Sequence, residues 1–404
     1  MRKNIFLWAL YDFANSFIYI TFFLYFSQWV VVDKNISDIW FNLCFVASSI
    51  LLFLTAPFVG IKLDERWKNI SGLRTTTLAI IFFYIFTAYF AQNNSVILAL
   101  IFFTIGQYFF ALSFSFYTPL INTFSSSENR GRISGIGFVG NFIGNIAGLL
   151  LAMPFAIGKI NLFGGLSRVE TIIPAIVAFF IFSMPMLIFF QEPQHKALDL
   201  CPKKFHIRKA TSIFQDHNIL MFMISFILFN GAILTVINNS PIILEKVWSI
   251  GDNIKTYAVM MVIITSVMGS FIFGRLADRF GGRITLISIL ISWIILLPVM
   301  AIMFSLYYFV FLVIVGGLLI GGALTVSRAV MANLVTDKNQ NLGFSYFNII
   351  ERASVIIGSL IWGAISSGLF NLDSMRYQLA LAMMVIIILA GLTFLLKMKN
   401  TENS

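Results

Sequence analysis

Apolar runs of about 20 residues, each bounded by charges or turn residues, recur from one end of this chain to the other. A run of that length crosses a hydrocarbon layer as one helix whose backbone satisfies its own hydrogen bonds, so the chain must fold in lipid. The expected spans are Ile5 to Val32, Trp40 to Ile61, Thr75 to Ala91, Val96 to Ile121, Gly135 to Ile157, Thr171 to Phe190, Ile219 to Leu244, Ile254 to Gly274, Ile284 to Met303, Leu306 to Leu334, Gly343 to Phe370 and Tyr377 to Leu396. Only 11% of residues are charged, and the 45 Phe are spread over the whole length, which excludes a soluble enzyme with one anchor or a leader peptide. The ten-residue alternation of a transmembrane barrel is absent. The expected fold class is an all-α integral membrane protein of twelve helices in two related six-helix bundles.

The one long polar stretch, residues 191–217, divides the chain six plus six. It sets the expected domains: an N-terminal bundle at 1–190, a connector at 191–217 and a C-terminal bundle at 218–404. His195, His206 and His217 all lie in or beside this connector and read as solvated. Cys44 and Cys201 form neither a disulfide framework nor a metal or redox pattern, so no metal and no cofactor is expected. The net charge of +10 reflects topology rather than nucleic acid, because Lys and Arg fall in short clusters between spans. With the N-terminus inside, 19 of these residues lie in inner segments against 6 in outer ones, Lys34, Lys159, Arg168, Lys246, Lys255 and Arg376. Both termini and the connector are therefore expected in the cytoplasm, in a bacterial inner membrane.

Internal repetition is visible at the inner span ends. Gly60 and Asp64 at span 2 correspond to Gly274 and Asp278 at span 8, an offset of 214, and Arg132-Ile133-Ser134 corresponds to Gly343-Phe344-Ser345 at an offset of 211. The segment after span 8 reads Gly274-Arg-Leu-Ala-Asp278-Arg279-Phe-Gly281-Gly-Arg283-Ile-Thr-Leu286. Gly281 and Gly282 can reverse the chain, and Asp278 can meet a helix N-terminus or an Arg in one conformation only, which is how a gate works. The bland reading is a tight turn carrying solvated positive-inside charges. The first-half copy, with Asp64, Arg66, Gly72 and Arg74, is degenerate.

That segment resembles the loop signature of the major facilitator superfamily at every defined position. Within it, Tyr11-Asp12-Phe13-Ala14-Asn15-Ser16 is similar to the hallmark of the vacuole effluxer-like branch. Arg130-Gly-Arg-Ile-Ser-Gly-Ile-Gly137 and the pair Ser327-Arg328 resemble two further patterns of that branch. The resemblance implies a membrane transporter of small solutes, associated in fungal members with export of amino acids from the vacuole. The chain departs from the branch at Phe229-Asn230-Gly231-Ala232, where an acidic residue would stand, and at Glu351-Arg352, which replaces a Gly-Lys-like pair.

Ionisable groups inside spans cost at least ~2.5 kcal/mol each at a bilayer centre, so they mark protein-facing or wet surfaces. Asp12, Asn15, Ser16 and Tyr19 form one polar face of span 1. Asp12 is a candidate proton or cation carrier, or the partner of Arg328 or Arg352; a fixed ion pair that sets packing is the alternative. Arg328 can clamp a carboxylate bidentately or snorkel to the interface. Glu351 and Arg352 enter span 11 together. Gln107 and Tyr117 on span 4, and Asn230, Thr235, Asn238 and Asn239 on span 7, are candidate lining groups or interhelical hydrogen bonds. Gly140, Gly144 and Gly148 read as a packing stripe, whereas Gly316, Gly317, Gly321 and Gly322 can serve as bend points.

No His lies in a span, no close acidic pair is buried there, and no phosphate-binding Gly-Lys loop occurs, so a lipid-modifying enzyme or an ATPase finds no catalytic residues. The remaining rival is a receptor or scaffold with the same fold. The expected function is a monomeric secondary transporter, moving a small polar solute such as an amino acid by alternating access. Its site is expected near the midplane of spans 1, 4, 7 and 10, with a coupling proton or cation and the lipid bilayer as its other partners.

Overall fold

A computed structural model describes residues 2–65, 69–124, 130–164, 167–191, 215–302, 306–335, 340–367 and 375–399. All regular structure among the described residues is helical. The long helices are α1 (Arg2–Thr21), α2 (Asp38–Glu65), α3 (Asn69–Gln92), α4 (Val96–Tyr117), α5 (Arg130–Ala156) and α6 (Ile172–Phe189). The second half supplies α7 (His217–Trp248), α8 (Asp252–Phe280), α9 (Gly282–Ile302), α10 (Leu306–Leu334), α11 (Gln340–Ser366) and α12 (Arg376–Leu396). Each falls on an expected span. Among the described residues, 11 segments are long and apolar enough to cross a membrane, and α11 contributes only the shorter apolar stretch Ala353–Ser366. Its polar half holds Glu351, so length and hydropathy alone understate this helix.

The chain forms two compact units. The first comprises Met1–Ile36, Ala47–Leu200 and Leu244–Met260; the second comprises Ser37–Val46, Cys201–Ile243 and Met261–Ser404. In the first unit α1 packs on α5 and α6, and α3 on α4. Leu7, Trp8, Tyr11, Leu73, Phe116 and Met186 share one buried cluster there. In the second unit α9 packs on α10 and α12, and α11 on α12. Phe53, Phe82, Phe271 and Phe311 are exposed, as side chains in contact with lipid must be.

Small residues let the helices meet backbone to backbone. A Cβ added at Gly140 or Gly144 would lie 2.8 Å from the carbonyl oxygen of Ala9 or 2.4 Å from that of Phe13, so the α5 stripe is the packing seam for α1. The α10 glycines do the same work and not the expected bending: α10 runs unbroken, with Gly317 against the Val262 carbonyl and Gly321 against that of Ser266. Gly231 lies against the Ser354 carbonyl in the equivalent seam of α7 and α11.

The duplication read from the sequence recurs in the packing of each unit. Arg74 Nε donates to the Leu187 carbonyl at 2.7 Å in the last turn of α6, and Arg283 Nη2 donates to the Leu396 carbonyl at 2.9 Å in the last turn of α12. Donors and acceptors are offset by the same 209 residues. Each guanidinium satisfies a helix-end carbonyl and meets the negative end of that helix dipole.

Candidate functional site

Asp12, Asn15, Ser16 and Tyr19 follow one another on α1 because α1 runs through all four as a regular helix. Ser16 donates to the Asn141 carbonyl at 2.9 Å, and Asn141 Nδ2 lies 3.5 Å from Asp12 Oδ1. Asn145 Nδ2 in turn donates to Asn141 Oδ1 at 3.0 Å. The glycine seam makes this possible, since only a close approach lets short Asn side chains of α5 reach α1. Asn15 is 2% exposed, and neither atom of its amide has a hydrogen-bond partner among the described residues. A buried amide without protein partners is where water or solute is expected to bind. Tyr19, two turns beyond Asp12, is 40% exposed and stacks on Phe23.

Several other expected lining groups act as ties between helices. Tyr117 is buried, stacks on Trp8 with ring centroids 4.9 Å apart and donates to the Trp8 carbonyl at 2.9 Å. Gln107 Oε1 accepts from the Tyr84 hydroxyl at 3.1 Å. Asn230 donates to Ser354 Oγ at 2.9 Å, and Asn239 exchanges amide hydrogen bonds with Asn42 at 3.1 and 3.3 Å. Asn238 is half-buried on α7.

Arg328 and Glu351 approach to 3.9 Å, so Glu351 meets an arginine of α10. Both side chains are part-exposed, which suits a pair beside water. The side chains of Arg352 and Asp64 lie outside the described residues. In the signature segment, Gly281 has φ of 87° and its N–H bonds the Ala277 carbonyl at 2.9 Å, closing α8 in the left-handed cap that glycine favours. Gly274 is half-buried, Asp278 and Arg279 are exposed, and Arg283 is pinned to α12.

Residues 36–404 match the family described as vacuole effluxer Atg22 like. The chain belongs to that family. A Bacillus subtilis (strain 168) protein described as an uncharacterized MFS-type transporter, YxiO, is 22% identical to it over an alignment of 394 positions that covers 88% of this chain and 86% of that protein. Among solved structures, the nucleoside transporter NupG (D323A mutant) superposes with a TM-score of 0.79 at 10% identity, over 98% of this chain and 100% of that one. The D-xylose-proton symporter gives 0.75 at 11% identity, over 98% and 97%. At such identities the likeness establishes the fold, that of the major facilitator transporters. This Atg22-like protein is thus a multi-pass membrane transporter of the secondary, major facilitator type, not an enzyme.

The richest ion-pair network among the described residues of this Atg22-like chain lies at the opposite end of α1 from Arg2, on groups the sequence offered only as topological charges. Arg168 binds Asp33 at 2.7 Å, Glu245 at 2.6 Å and Asp252 at 2.9 Å. Lys255, with no exposed side-chain surface, binds Asp252 at 2.7 Å and also meets Glu245 and Gln28. The available signal was that three acids, Asp33, Glu245 and Asp252, share span ends with Arg168 and Lys255, whereas the positive-inside count weighs only basic residues.

Proposed function

We propose that the protein moves a small polar solute, an amino acid or a similar metabolite, by alternating access of the 1–190 and 218–404 bundles joined by the 191–217 connector. On this reading both termini and the connector are cytoplasmic and the membrane is a bacterial inner membrane, in keeping with the 19 to 6 charge bias. The observation that carries the proposal is the polar face of α1: a carboxylate at Asp12, amides of Asn141 and Asn145 beside it, and a buried Asn15 amide without a hydrogen-bond partner among the described residues. An apolar packing surface has no use for that arrangement, whereas a solute or proton path needs it. Arg328 with Glu351, and Asn238 on α7, are the matching candidates in the second half. Asp278 and Arg279 are the gating candidates.

Asp12 is assigned the coupling role. Asp12→Asn keeps the shape of the solute site and removes the titrating group. It is expected to abolish accumulation driven by a pH gradient in reconstituted vesicles while leaving solute counterflow intact. Persistence of both activities would remove Asp12 from the coupling step and assign that step to another titratable group. The solute itself is to be found by thermal shift of the purified protein against amino acids, nucleosides and sugars, since binding to the folded state raises apparent stability by mass action.

A further inference from the structure

Beyond α1 the first span continues in a different form. Phe22–Phe26 and Trp29–Asp33 are two π-helical stretches, with the Ser27 N–H on the Phe22 carbonyl and the Lys34 N–H on that of Trp29. Short π-helical turns inside helices are uncommon and gather at functional sites. Here Ser27 Oγ donates back to the Phe23 carbonyl at 2.7 Å and Gln28 Nε2 to that of Leu24, which gives displaced carbonyls a partner. The wide helix presents Gln28 to Lys255 and Asp33 to Arg168.

Arg168 is itself held by a built loop. The buried Glu170 carboxylate accepts the N–H groups of Leu162 and Phe163 at 3.1 and 3.0 Å, and Thr171 Oγ1 donates to the Arg168 carbonyl at 2.6 Å. The turn Ser167–Glu170 therefore aims the guanidinium rather than letting it wander. Asp33 and Arg168 come from the first half of the sequence; Glu245, Asp252 and Lys255 come from the second, and all five belong to one compact unit. Tyr25 adds a hydroxyl contact to Thr256 of α8 at 2.7 Å. Charges this well enclosed hold only while every partner stays in place, since removing one strands the others in a poorly solvated site. Such a cluster has two states, made or broken, with little between.

We propose that the Arg168–Lys255 cluster is a charge latch for the end of the transporter away from its N-terminus, holding residues 22–33, just beyond α1, in their π-helical form. Its release lets that stretch rewind to α-helix, and each π insertion removed turns the chain beyond it by about 100°, one residue's share of a 3.6-residue turn. That rotation carries Gln28 and Asp33 away from Lys255 and Arg168, so rewinding and opening are one event. The closed latch and the π form then define one state of the cycle, and the broken latch with an α-helical end defines the other. The proposal rests on the transporter reading only for its use in a cycle; the two states are measurable without a solute.

The test is hydrogen exchange of full-length protein in lipid nanodiscs, comparing wild type with Arg168→Gln, Lys255→Met and the charge-keeping Arg168→Lys. Arg168→Gln and Lys255→Met are expected to raise exchange in residues 22–33 and 244–256 by about tenfold or more, with Arg168→Lys in between because it keeps charge but loses the fork. The same variants are expected to slow exchange at the other end, in residues 274–283, because opening one end of an alternating-access protein closes the other. A merely structural tie would loosen its surroundings and protect nothing. Faster exchange at 22–33 without protection at 274–283, or no change at either, overturns the latch. Should the two neutralising variants fail to fold, Arg168→Lys decides by the same pair of signs. A variant pair that switches both ends in a protein that moves no solute keeps the latch and removes the transport reading; normal transport with unaltered exchange does the reverse.

Discussion

Replacing Gly321 with Ala tests whether the α10 glycines are packing contacts. An added Cβ would stand 1.8 Å from the Ser266 carbonyl oxygen, 2.6 Å from its carbon and 2.9 Å from Ser270 Oγ. Ordinary contact begins at 3.4 Å, so α8 and α10 must part by about 1.6 Å along that line. A helix carbonyl committed to its own ladder cannot turn aside, and the Ser270 hydroxyl bond to the Gly321 carbonyl at 3.1 Å is strained as well. Overpacking of this kind costs roughly 1–3 kcal/mol and the hydrogen bond about 1 more, giving roughly 2–4 kcal/mol, or roughly 1.5 to 3 decades in the unfolding equilibrium. The assay is reversible unfolding in detergent or bicelles, run beside Gly144→Ala, whose Cβ would meet the Phe13 carbonyl at 2.4 Å, and Gly251→Ala, which has open space around it. The expected order of loss is Gly321, then Gly144, with Gly251 unchanged or slightly stabilised by the smaller entropy of its unfolded chain. A Gly321→Ala protein as stable as the Gly251 control would refute the seam and return these glycines to a hinge role.

Further outcomes follow from single contacts. Asn230→Asp forfeits the amide donated to Ser354 Oγ, whose own hydrogen goes to the Glu351 carbonyl at 2.7 Å. A loss of about 1–3 kcal/mol is expected by unfolding, and unaltered stability would show that α7 adapts to the acid. Tyr117→Phe removes a buried hydroxyl from the Trp8 carbonyl and is expected to cost about 1 kcal/mol or somewhat more, with little effect on solute affinity. Affinity falling tenfold instead would make Tyr117 a solute contact. Asp278→Asn is expected to shift accessibility labelling on the two faces of the membrane and to reduce transport without impeding insertion; normal labelling with normal transport would leave the segment only a turn.

The spans were legible because lipid demands about 20 apolar residues from each crossing helix, whatever that helix touches. The glycine of the signature was legible for a similar reason, since Gly281 is needed where φ is positive, a local requirement, whereas Arg74 and Arg283 each reach a helix end 113 residues away. The polar face of α1 was visible as periodicity. Its surroundings were not, since nothing local ties Asn141 to Asp12. Tyr117 and Asn230 carry hydrogen bonds between helices, one of the two readings the sequence left open, because a polar side chain in a span looks the same in sequence whether it meets a carbonyl or a solute.

Local rules determined by themselves that this chain is a helical membrane protein of twelve spans, roughly where each span lies, and which of its surfaces are polar. Only the tertiary structure decided which small residues are seams, and that Arg168 and Lys255 gather Asp33, Glu245 and Asp252, with Arg168 and Asp33 135 residues apart in the chain. The physical reason lies in range. Hydrophobic burial and helix ends act on neighbours in sequence, whereas enclosed charges choose partners by three-dimensional proximity, and no spacing in the sequence encodes that.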